Sequence, residues 1–63
     1  MTRISVTVPS EADVRLLLSW LVDRSAWLEL TPLPDGRWEA VVRREHEAAM
    51  RRAWPYADIK ELP

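Results

Sequence analysis

The run "HEAAM" (His46 to Met50) comes within one residue of a zinc-hydrolase pattern. HExxH needs two imidazoles one helical turn apart to share the metal, with the intervening glutamate as base. Met50 stands where the second imidazole must be, and the chain has neither another histidine nor a cysteine to complete a site. Met50 also falls at core spacing with Ala49 and Ala53, so His46 is expected as a structural residue near a helix start, partly tucked against a sheet. Nucleophilic catalysis fares no better. Ser5, Ser10, Ser19 and Ser25 would each need a base held by a third group, and His46 is the sole base of the usual kind. The carboxylate pairs Glu11/Asp13 and Glu45/Glu47 each sit where a first helical turn is expected, and dipole complementation accounts for both. A single glycine leaves no phosphate-cradling loop or dinucleotide fingerprint. The expectation is a protein without catalytic, metal-ligating or cofactor-binding residues, and not an enzyme.

Composition narrows the classes further. Residues 1–63 make one domain, and a chain of this length buries only roughly 60% of the surface that its unfolded form exposes, so its stability margin should be thin. The absence of cysteine excludes disulfides and thiolate metal sites and fits a reducing compartment. No run approaches the roughly 20 apolar residues of a membrane span, and "MTRISVTV" lacks a signal peptide's basic and apolar regions. A cytoplasmic location with no membrane contact is expected. Nine basic and ten acidic residues give a net charge of −1, so no whole-molecule field steers a polyanion. Eight of the nine basic residues are arginine, and with the plentiful alanine and leucine this suggests a GC-rich bacterial or phage genome.

Elements capable of positioning a site follow one another closely. In "RISVTV" Ile4, Val6 and Val8 alternate with polar residues, the period of a strand with one buried face. Pro9 ends it, Ser10 stands as an N-cap, and a helix is expected from there to about Ser25. "WLELTPLPDGRWEAVVR" predicts a hairpin closed by Pro34-Asp35-Gly36 with a left-handed glycine. Placing Leu33 opposite Arg37 pairs Pro32 with Trp38, Leu30 with Ala40 and Leu28 with Val42, which gathers the apolar residues on one face. The other face then holds Trp27, Glu29, Thr31, Arg37, Glu39, Val41 and Arg43. "REHEAAMRRAW" predicts a second helix stopped by Pro55, and the charged, alternating "ADIKEL" an edge strand.

The order βαββαβ is the split-βαβ plan. The expected fold class is α+β, a ferredoxin-like two-layer sandwich in which two helices cover one face of a four-stranded antiparallel sheet. Strands one and three should be central, because "LTPLP" carries prolines and "DIKEL" charge, both marks of an edge. The competing arrangement is of ββα type, with the last segment, "ADIKEL", as a tail. The likeness is one of topology, which hosts many unrelated functions, and no motif identifies a family.

"VRLLLSWLVD" (Val14 to Asp23) is apolar all round. At 100° per residue Val14, Leu17, Leu18 and Leu21 form one stripe with Val22 on its border, while Leu16 and Trp20 fall about 130° to 170° from its centre. A two-layer domain cannot bury both sides of this helix, so Leu16 and Trp20, with Trp27 on the open sheet face, are the candidate partner-binding residues. The expected function is non-enzymatic protein binding, as a regulator or inhibitor of a larger protein, plausible company being phage anti-defence proteins such as anti-CRISPR inhibitors. One alternative is nucleic-acid binding through Arg43, Arg44, Arg51 and Arg52, against which Glu29 and Glu39 weigh. Another is a homodimeric scaffold.

Overall fold

The structure, a computed structural model, describes residues 2–25 and 27–63, the side chains of Trp27 and Leu28 apart. Its elements are β1 (Arg3–Val8), α1 (Glu11–Asp23), β2 (Trp27–Pro32), β3 (Trp38–Arg43), a 3₁₀ turn (Arg44–His46), α2 (Glu47–Ala53) and β4 (Asp58–Glu61). The strands form one sheet in the order β2-β3-β1-β4, antiparallel at every pairing. This is the ferredoxin-like plan expected from the pattern, with β1 and β3 central. Residues 58–61 pair with β1, so the last segment is a strand and not a tail.

The alternation in β1 has its predicted consequence: Ile4, Val6 and Val8 are fully buried. Ala40 and Val42 of β3 join them from the same face, and Val14, Leu17 and Leu21 of α1 with Met50 of α2 close the core from above. Ser10 caps α1 as expected, its hydroxyl oxygen accepting from the Asp13 amide at 3.3 Å. The helix ends at Asp23 rather than near Ser25. Ser25 has φ 51, left-handed backbone, and its amide donates to the Val22 carbonyl at 3.1 Å, which is how a helix terminates when the next residue turns out of the αR region.

The hairpin turn holds, with Gly36 at φ 91 and the Leu33 amide donating to the Arg37 carbonyl at 2.8 Å. Asp35 ties the loop down by accepting from the Arg37 amide at 3.2 Å and from its guanidinium at 2.6 Å. Pro32 pairs with Trp38 and Leu30 with Ala40 as the apolar pattern requires. The expected Leu28–Val42 pair is corrected: a register shift between Trp27 and Glu29 makes Trp27 the partner of Val42. A bulge of this kind reverses side-chain parity beyond it, which strict alternation cannot anticipate.

A second correction concerns α1. Leu18 is only partly buried, and Trp20, placed outside the core by the helical wheel, packs against it. With Leu18 removed from the stripe, the buried centre turns toward Trp20, which then lies about 90° away, on the flank facing α2.

Candidate functional site

Trp20 sits at the junction of the two helices. Its ring meets Trp54 edge-on at 6.2 Å and His46 edge-on at 5.9 Å, while the Arg24 guanidinium lies 4.0 Å from the ring centroid. Each contact is favourable for a ring whose face is negative and whose edge is positive. With two edge-on aromatic contacts and a cation on its face, Trp20 is chiefly a joint between α1 and α2. His46 is accordingly half-buried, its ring against Trp20, with Glu45 3.8 Å from its Nε2. The position where a second metal-binding imidazole would stand is occupied by Met50, fully buried in the core.

Leu16, one turn before Trp20, is 64% exposed. The same flank of α1 meets the segment after α2, where the Tyr56 hydroxyl donates to the Asp13 carboxylate. Tyr56 is itself 58% exposed, and Ala12, Ala53 and Pro55 are exposed as well. Helical spacing sets Leu16 beside both Asp13 and Trp20, at i,i+3 and i,i+4. This flank therefore sets the exposed apolar side chains of Leu16 and Ala12 beside the Asp13–Tyr56 pair and the Arg24 that covers Trp20. The sequence does not point to Tyr56, because nothing in "WPYADI" tells which way a turn after Pro55 throws its side chains. Trp27, the third expected partner-binding residue, has a side chain outside the described residues.

Asp13 joins the two halves of this surface electrostatically. Its carboxyl is held below the ordinary 3.8 first by the Tyr56 hydroxyl and next by the Ser10 hydroxyl, while the Tyr56 hydroxyl is raised above 10.0 by donating to Asp13. A depressed carboxyl adds stability above its unfolded pKa that is lost as pH falls through the folded value. A raised phenol adds stability below its unfolded pKa that is lost as pH climbs through the folded value. The unaltered protein should thus exceed Tyr56→Phe in urea midpoint by a constant margin between about pH 5 and 9, narrowing below about pH 4 and above about pH 10. Midpoints measured across that range give the answer, and parallel curves would exclude the hydrogen bond.

The four arginines expected to serve nucleic acid do not form one patch. Arg44 and Arg51 share Glu47, at 3.9 and 3.0 Å, and Arg44 also reaches Glu61 at 3.4 Å. Arg52 is exposed on α2. Arg43 belongs to the open sheet face, directly opposite Arg3 in the ladder. On that face Glu39 accepts a hydrogen bond of 2.6 Å from Ser5, which is only 4% exposed. Arg43 and Arg44 do line one open, shallow depression, together with Thr2 and Glu45.

Among the described residues no group of three or more histidine, cysteine, aspartate or glutamate side chains is placed to hold a metal ion, and no helix is long and apolar enough to cross a membrane. No protein-family model, curated protein or solved structure matches the chain.

Proposed function

We propose that this chain is a small binding module that regulates or inhibits a larger protein by contact through its helical layer. The observation that carries the reading is the exposed Leu16 on α1, with the exposed Tyr56 bonded to Asp13 one turn before it and the half-buried Trp20 one turn after it. A domain of 63 residues has little apolar side chain to spare from its core. Leaving a leucine and a tyrosine outside it on one flank is the usual composition of a contact surface, with an aromatic anchor and an aliphatic neighbour. Inhibitors carried by phages or mobile elements against host defence, anti-CRISPR proteins among them, are regulators of this size class. The arginine bias of the composition supports such a source.

The test exploits the separation of surface from core. Leu16→Glu combined with Tyr56→Ser should leave the circular dichroism spectrum unchanged, and should weaken capture of partners from the native host, quantified by mass spectrometry, by at least tenfold. Light scattering on the same two samples identifies self-association, the homodimer alternative, by a fall in mass in the variant. Equal capture and equal mass in both would overturn the reading.

A further inference from the structure

We propose that the end of the sheet where β1 begins and β3 finishes binds a compact phosphate anion through Arg43, Arg44 and Arg3. The inference does not rest on the helical-layer reading: Arg3 and Arg43 lie on the open face of the sheet, and Arg44, ion-paired with Glu47 of α2, at its end. Arg3 and Arg43 are register partners on neighbouring strands, both exposed. Among the described residues neither is paired with a carboxylate. Like charges directly opposite across a ladder repel each other, and an anion between them converts that repulsion into two attractions.

The backbone carrying these arginines is fixed. The Leu62 amide donates to the Arg3 carbonyl at 2.9 Å, and the Arg44 amide to the Thr2 carbonyl at 3.1 Å. Arg43, Arg44 and Thr2 line the shallow depression at this corner, with Glu45 as the one acidic member of the lining. Glu45 lies 3.8 Å from the His46 Nε2, and Arg44 is balanced by Glu61 and by the Glu47 it shares with Arg51, so the uncompensated positive charge at this corner is that of Arg3 and Arg43. A guanidinium presents a planar fork of donors that matches two oxygens of a phosphate.

The size of the anion follows from where the positive charge stops. Along the open face the next row holds Lys60 and Glu29, and the row after it Asp58 and Glu39. Glu39 lies four residues along β3 from Arg43, about 13 Å at the rise of a strand. A continuous nucleic-acid backbone laid along the strands would run onto those carboxylates. A single phosphate or pyrophosphate group would not. Free polyphosphate compounds and the terminal phosphate of a nucleic acid share this chemistry.

Heteronuclear NMR on the whole chain tests the site, with pyrophosphate as the first probe and sodium chloride at matched ionic strength as its control. The second pair of probes is a short thymidine oligonucleotide with and without a 5′-phosphate. Saturable shifts are expected at Arg3, Arg43 and Arg44 but not at Arg52, with binding at least fivefold weaker in both Arg43→Gln and Arg3→Gln. Saturation by pyrophosphate alone identifies a free anion, and saturation by the phosphorylated oligonucleotide alone identifies a strand end. Shifts that merely follow ionic strength, equal response at Arg52, equal affinity in the glutamine variants, or equal binding of both oligonucleotides would each overturn the proposal.

Discussion

Leu17→Glu is expected to abolish the cooperative unfolding transition, while Leu16→Glu, the same change one residue earlier, leaves it nearly where it was. Leu17 is fully buried between α1 and the sheet, among Ile4, Val6 and Leu21. A carboxylate there would lose its water without gaining a partner, a cost of several kcal/mol even after the group protonates or the structure relaxes. The leucine's own burial is lost as well, about 2–3 kcal/mol. Small domains have only a few kcal/mol in total, so these losses should exceed the margin. Leu16 is mostly in solvent already, and a surface change of this kind should shift stability by no more than about 0.5 kcal/mol. Thermal melts of the two variants followed by circular dichroism decide it. A Leu16→Glu protein that melts as low as the Leu17→Glu protein would mean that α1 presents a different face to the sheet.

That contrast was legible in the sequence, and so was most of what surrounds it. Strand β1 announced itself by alternation, α1 by Ser10 and the dipole-favourable acids after it, and the hairpin by the only glycine in the chain. Two features needed the third dimension. Alternation assumes an unbroken ladder, so it paired Leu28 with Val42 and missed the bulge that hands that position to Trp27. A helical wheel knows only angles around one axis, so it set Trp20 beside Leu16 as spare surface. It could not register that α2 arrives on that flank with Trp54 and His46. The pairing of Arg3 with Arg43 lay one step beyond the hairpin, because it requires the register of β1 on β3, and no turn connects those strands to fix it.

Trp54→Ala should be among the most damaging single truncations available, and its coupling to Trp20 measures whether the helix junction is internal. Trp54 is 7% exposed, caps the end of α2 and meets Trp20 edge-on. Emptying such a site costs about 3–5 kcal/mol, comparable with the whole stability of a domain this small. Trp54→Leu, which keeps part of the volume, provides a folded background in which urea midpoints remain measurable. Trp20→Leu should be destabilising by itself, because Trp20 packs on the core and carries the Arg24 guanidinium on its face. If the two rings support each other, the double variant should lose less than the sum of the singles by about 0.5–1.5 kcal/mol. Near-UV circular dichroism should fall in each single variant and fall little further in the double one, since the ring pair is already broken. A Trp20 devoted to an external partner predicts the opposite pattern: no coupling to Trp54, little change in stability and a large loss of binding. The cycle therefore separates Trp20 as the joint between α1 and α2 from Leu16 and Tyr56 as the surface beside it.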